Sequence, residues 1–203
     1  MNKVWSFLTL NLCFLYTEKV YKTDKKNIGR PVVYCANHTS YLDIAMVFRV
    51  IPGYFSIIGK AELSKVPLFG PMFKNVYVEV DRKNSKSRKL SLDRSIEVIN
   101  EGRSMVFYPE GTIPKLEAPE MGPFRDGAFR LAVEKQIPLV PITFPYNWII
   151  LPENLNTLVN WHKAKVIFHE PIETKGLTKE DIPALKQQVY DVIDNELKSH
   201  FKR

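Results

Sequence analysis

Cysteine is scarce in this chain, with only two among 203 residues. Cys13 and Cys35 both lie in apolar surroundings and lack metal-ligand spacing, so they argue for neither a disulfide framework nor a zinc site. A long hydrophobic run is missing too. The apolar opening segment over residues 4–16 contains Asn11, Ser6 and Thr9 and is shorter than the roughly 20 residues a spanning helix needs. No small-residue cleavage site follows it, which speaks against a secretory signal. There is no internal repeat and no low-complexity tract. The cations are scattered and no nucleic-acid recognition motif appears, so nucleic acid is not an expected partner.

What is present suits a globular domain. A hydrophobic content of 45% supports a sizeable core, while 12% aromatic and 25% charged residues exclude extensive disorder. The formal charge of +7 calls for an anionic partner, and with nucleic acid disfavoured a lipid surface or a phosphorylated substrate remains. Lys3 precedes the opening segment, and Lys19, Lys22, Lys25 and Lys26 follow it. Two readings fit. The segment is either a helix lying in a membrane interface beside basic residues that attract anionic headgroups, or a first helix packed on the domain's own core. The first reading divides the chain into a membrane-associating segment over 1–28 and a domain over 29–203.

The chemistry concentrates in Asn37-His38-Thr39-Ser40-Tyr41-Leu42-Asp43. The preceding run from Pro31 to Ala36 reads as a buried strand, and apolar residues from Tyr41 to Ile51 recur at helical spacing. The stretch is therefore a strand-to-helix turn, a place where α/β sheets present side chains and free helix-start amides together. With His38 just ahead of the helix and Asp43 in its first turn, the carboxylate can fold back to one imidazole nitrogen. The other nitrogen is then left to take a proton. Alternatively, Ser40-x-x-Asp43 is a capping box with Ser40 as N-cap and His38 an incidental neighbour.

Three further strand exits carry polar groups. Residues 54–58 read as a strand leading to Gly59-Lys60, and residues 76–80 as one ending at Asp81-Arg82. Residues 104–108 form a third, ending at Pro109-Glu110-Gly111-Thr112. Residues 66–73 suggest a short helix with a greasy surface. Residues 84–100 predict an amphipathic helix stopped at Gly102, and a helix begins near Phe124. Residues 137–144 read as a strand whose prolines place it near a sheet edge. A region over 145–161 is aromatic and irregular, residues 164–169 are a final strand, and residues 178–202 predict an amphipathic helix covering one sheet face.

The ordered blocks His38-x4-Asp43, Gly59-Lys60 with Pro67-Leu68-Phe69-Gly70, Val80-Asp81-Arg82, Tyr108-Pro109-Glu110-Gly111-Thr112 and Ile137 to Ile142 resemble the lysophosphatidate acyltransferase family over residues 30–170. The resemblance implies a single α/β domain of the glycerol-3-phosphate acyltransferase type, with a mixed central sheet flanked by helices and an N-terminal membrane-interface helix. It implies transfer of an acyl group from a thioester to 1-acyl-sn-glycerol-3-phosphate, giving phosphatidate at the cytoplasmic face of a membrane. Acyl-CoA or acyl carrier protein would be the co-substrate, and no cofactor or metal is called for. Position by position, His38 matches the catalytic base and Asp43 its orienting carboxylate, while Arg82 matches the arginine that contacts the acceptor phosphate. Glu110, Gly111 and Thr112 match the block associated with acceptor binding, and Lys60 stands at a neighbouring strand exit.

One position departs from the pattern. The family's usual arginine after Glu-Gly-Thr is here Ile113, so the phosphate must lean on Arg82, Lys60, Lys115 or Arg125, or the acceptor is a different lyso-lipid. Amides of the helix start after Ser40 are candidate oxyanion donors. An acyl-cysteine route through Cys35 is disfavoured because Cys35 lies inside the strand pattern. Two other classes are a catalytically silent lipid-binding module and a metal hydrolase built on His38, Asp43 and Glu110.

Overall fold

Val32, Val33, Tyr34, Cys35 and Ala36 are each completely buried, because the strand they form is covered on both faces. In the computed structural model, which describes residues 15–29, 31–60, 76–81, 84–152, 160 and 162–201, this strand is β2 (Val33–Ala36). It follows β1 (Thr17–Tyr21) and precedes helix α1 (Leu42–Val50). Next come β3 (Phe55–Lys60), β4 (Tyr77–Val80), α2 (Ser85–Asn100), β5 (Ser104–Phe107), α3 (Gly127–Lys135), β6 (Leu139–Thr143), α4 (Asn147–Ile150), β7 (Ala164–Phe168) and α5 (Ile182–Phe201).

The strands build one sheet in the order β1-β7-β6-β2-β5-β3-β4. Pairings of β2 with β5 and β6, of β3 with β4 and β5, and of β1 with β7 are parallel. The β6–β7 pair is antiparallel, so the sheet is mixed. Side chains alternate between two cores, as a period of two requires. Tyr34, Ala36, Val106 and Val140 pack with α1 residues Met46, Val47 and Phe48. Val33, Cys35, Met105 and Leu139 pack with Val98 and Ile99 of α2, Phe129 and Leu131 of α3, and α5. On α5 the buried residues Ile182, Leu185, Val189, Ile193 and Leu197 form one stripe that covers the sheet face, as the sequence pattern predicts.

Two expectations are revised. The edge placement of β6 fails, because β6 lies inside the sheet between β2 and β7. Pro141 fits there because backbone groups of alternate residues point to alternate neighbours. Val140 and Ile142 serve the β2 side, while Pro141 faces β7, where its carbonyl accepts from the His169 N–H at 3.1 Å. The boundary at 28/29 also shifts, since Thr17–Tyr21 pairs residue by residue with Ala164–Phe168 and is part of the sheet. Tyr21 stacks on Phe168 with ring centroids 4.7 Å apart. The remainder of the proposed membrane helix, residues 1–14, and the greasy stretch over 66–73 lie outside the described residues. Among the described residues, no helix is long and apolar enough to cross a membrane.

Candidate active site

Because β2, β3, β4, β5 and β6 run parallel, their C-terminal ends share one edge of the sheet. His38, Lys60, Asp81 and the Pro109–Thr112 turn are delivered there by topology alone, and the chain leaving β6 arrives at the same edge. With strands about 4.8 Å apart, the end of β5 adjoins that of β2, and the ends of β3 and β4 lie about 10 and 14 Å away. The side chain of Lys60, all of Arg82 and the Pro67–Gly70 block fall outside the described positions. Thr112 is exposed and makes no side-chain hydrogen bond among the described residues.

His38 and Asp43 meet as the turn predicts. The imidazole Nδ1 lies 2.8 Å from Asp43 Oδ2. Asp43 also realises the competing capping reading, because the same oxygen accepts from the Thr39 N–H at 2.8 Å and the Ser40 N–H at 3.0 Å. The capping box is half made. Ser40 bonds the Leu42 N–H through its own hydroxyl at 3.0 Å, and Tyr41 rather than Ser40 is the N-cap. A carboxylate can only accept, so a neutral ring in this position carries its proton on Nδ1 and keeps the Nε2 lone pair free. Asp43 is fully buried, a position a charge holds only when donors surround it. Its fourth donor is Asn147, whose Nδ2 bonds Asp43 Oδ1 at 2.7 Å.

Asn147 and its surroundings are what sequence reasoning missed. Asn147 stands on α4, inside the region read as irregular, and 104 positions separate it from Asp43. Asn37 likewise ties the exits of β2 and β6. Its amide donates to Phe144 O at 3.1 Å, and its Oδ1 accepts the Phe144 N–H at 2.8 Å. The ring of Tyr108 stacks on His38, with centroids 4.3 Å apart and planes inclined by 24°. An asparagine two positions past the last buried residue of a strand exit is the available signal for Asn147, but it is too common to single the residue out.

Glu110 does not face outward as a ligand-binding carboxylate would. Its Oε1 accepts the His38 N–H at 2.7 Å and its Oε2 the Gly122 N–H at 2.8 Å, which fastens the 109–122 loop to the His38 turn. Gly111 turns with φ +77° and lies against Arg125. A Cβ there would sit 2.8 Å from the Arg125 Nε, so the sequence needs glycine both for the left-handed turn and for the close approach. Arg88 and Arg125 border a cavity of about 140 Å³ whose walls include Ile58, Val80, Leu92 and Phe107.

Two sequence expectations about the chemistry meet the structure here. Three amides at the start of α1 are already engaged: Leu42 N–H with Ser40 Oγ, Asp43 N–H with Ser40 O, and Ile44 N–H with Tyr41 O. Of the amides after Ser40, these three are not free to act as oxyanion donors. Cys35 is completely buried, packs into the core on the α2 and α3 side, and has its thiol pushed well above the usual range by burial, which leaves it inert.

Burial pushes the Glu110 pKa from 4.5 up to about 7, against the pull of its two backbone N–H bonds. In the window between these values the folded chain holds more proton than the unfolded one, so Glu110 makes stability fall as pH rises. His169 acts in the opposite sense. It lies 2.8 Å from Thr143 Oγ1 and burial lowers its pKa from 6.5 to about 4, so across that window stability rises with pH. Each slope is at most about 1.4 kcal/mol per pH unit. We therefore expect thermal melts between about pH 5 and 6.5 to be nearly flat for the wild type, to rise with pH for Glu110→Gln and to fall for His169→Gln. Parallel profiles for all three proteins would contradict this assignment.

A family model of acyltransferases matches residues 17–145, a span that holds the dyad, the Glu110 turn and β6. The chain belongs to the acyltransferase family. Among the relatives of this chain is a chloroplastic 1-acyl-sn-glycerol-3-phosphate acyltransferase of Brassica napus. It is 33% identical over 159 residues, 75% of this chain and 45% of the relative. The 1-acyl-sn-glycerol-3-phosphate acyltransferase of Saccharomyces cerevisiae is 30% identical and covers 92% of this chain. The Haemophilus influenzae enzyme of the same name is 28% identical over 86% of this chain and 71% of its own length. The chain spans 45% of the Brassica relative and 64% of the yeast one. The fold is that of the 1-acyl-sn-glycerophosphate acyltransferase PlsC from Thermotoga maritima, with a TM-score of 0.78 at 23% identity over 100% of this chain and 79% of that one.

Proposed function

We propose that this acyltransferase moves a fatty acyl group from acyl-CoA or acyl carrier protein to the free hydroxyl of 1-acyl-sn-glycerol-3-phosphate, giving phosphatidate. The reading is carried by the His38 imidazole, held through Nδ1 by the buried Asp43 with Nε2 as its acceptor. Nε2 takes the proton of the acceptor hydroxyl as its oxygen attacks the thioester carbonyl. The tetrahedral intermediate collapses with cleavage of the C–S bond, and the imidazolium returns its proton to the departing thiolate. Asp43 stabilises the imidazolium between the two transfers. The thioester is already activated, so this chemistry needs no cofactor.

Positioned base catalysis supplies roughly 10²- to 10⁴-fold, and the remainder falls to holding two lipidic substrates together. Lys60 and Arg82, at the exits of β3 and β4, and Arg125 against Gly111 are proposed to hold the acceptor's phosphate, replacing the arginine that Ile113 displaces. The net charge of +7 and the apolar segment ahead of β1 support work at an anionic membrane surface. Ile113 also favours a second reading, an acceptor whose headgroup carries no phosphate.

Incubation with labelled acyl-CoA and acyl carrier protein and a panel of lyso-lipids, followed by product identification, separates the two. The expected product is phosphatidate, formed faster than any product from a phosphate-free or aminolipid acceptor. Preferential acylation of a phosphate-free acceptor would refute the first reading.

A further inference from the structure

A second cleft is walled by residues from the His38 turn, the 113–120 loop and α4. It holds about 110 Å³, and its lining includes Thr39, Ile113, Leu116, Glu120, Trp148 and Pro152. Thr39 follows His38 directly, and its N–H is pinned to Asp43 at 2.8 Å. The residue is 6% exposed, and its Oγ1 is buried with no hydrogen-bond partner among the described residues. Folded proteins rarely leave a buried hydroxyl unpaired without a use for it. With no bond to hold its χ1, the hydroxyl is able to turn towards the cleft.

The charges decide what the cleft can take. Among the described residues no lysine or arginine lines it and Glu120 does, so the cleft is poorly suited to an anion. Arg88 and Arg125 border the other cavity. Apolar walls with one hydroxyl at the base suit an alkyl chain joined to a neutral carbonyl.

We infer that this cleft receives the ester-linked acyl chain the acceptor already carries. The Thr39 hydroxyl donates to the ester carbonyl, and the first methylenes lie along Ile113 and Trp148. This rests on the acceptor assignment above. The acceptor's reacting hydroxyl and its ester oxygen sit on adjacent carbons, and on this assignment the consecutive residues His38 and Thr39 address those neighbouring groups of one molecule. It also gives Ile113 a function: a branched apolar side chain at this position makes the wall greasy and sends the phosphate towards Arg125.

The test compares 1-acyl-glycerol-3-phosphate with its 1-O-alkyl ether analogue, which lacks only the carbonyl. The wild type is expected to prefer the ester in kcat/KM by about tenfold, the scale of one hydrogen bond to a buried group. Thr39→Val, which keeps the shape and the backbone N–H, should bring that ratio close to one, and Thr39→Ser should restore it. Ile113→Arg should raise KM for long-chain acceptors more than for short-chain ones. An ester-to-ether ratio that is the same in all the Thr39 proteins overturns the inference. So does an effect confined to the donor's KM, which would assign the cleft to the donated acyl chain. A wild type that acylates neither acceptor overturns instead the acceptor assignment beneath it.

Discussion

Replacing His38 by alanine lowers kcat by about 10³-fold, within the range for removal of a positioned general base, while the protein stays folded. The side chain contributes modestly to stability. It is 12% exposed, stacks on Tyr108, and is one of four donors to Asp43. Its loss leaves the carboxylate with three donors, a cost of about 1–2 kcal/mol. The acceptor's KM should change little, because in the proposed mechanism the imidazole transfers a proton in the transition state rather than holding the ground state. Steady-state kinetics, a thermal melt and vesicle co-sedimentation together check the outcome. A variant that keeps a tenth or more of wild-type turnover would remove His38 from the chemistry. A wild type without turnover on any acceptor, with vesicle binding intact, would make the chain a binding module.

Asp43 separates electrostatics from architecture. In Asp43→Ala the His38 ring N–H, the Thr39 and Ser40 N–H groups and the Asn147 amide all lose a fully buried acceptor. Stranding several buried donors places the loss at about 3–5 kcal/mol, a large part of a typical stability of about 5–15 kcal/mol. Asp43→Asn is gentler. The introduced carbonyl keeps the three contacts at the Oδ2 position. Asn147 can turn its own Oδ1, which has no hydrogen-bond partner, towards the introduced NH₂. That variant should melt within about 2 kcal/mol of the wild type yet lose about 10²- to 10³-fold in kcat, because a neutral amide does not stabilise the imidazolium. Retention of full activity by Asp43→Asn would show that the carboxylate only shapes the turn. A melt as low as that of Asp43→Ala would show that Asn147 cannot compensate.

The two readings of Ser40-x-x-Asp43 that the residues alone leave level turn out to be one arrangement. Asp43 caps the turn and orients the imidazole with the same oxygen, so the structural role fixes the geometry of the chemical one. Glu110 illustrates the opposite outcome. Its block reaches the sheet edge beside His38, yet the carboxylate binds the His38 and Gly122 amides and so fastens the 109–122 loop to the His38 turn. Prolines misled the placement of β6, since composition reveals that a residue lacks an N–H but not which neighbour that N–H would have faced.

The strand-to-helix turn at His38, the strands that present the other blocks, the amphipathic α5 and the family resemblance are all legible in the sequence, because periodicity and motif spacing are properties of a few consecutive residues. Tertiary structure alone decided that Asn147 completes the shell of Asp43, that Asn37 ties two strand exits together, that Tyr108 stacks on the imidazole, and that Ile113 and Thr39 share an apolar cleft. The hydrogen bonds among these join residues 104 and 107 positions apart. Such pairings are set by strand order in the sheet, which no local pattern encodes.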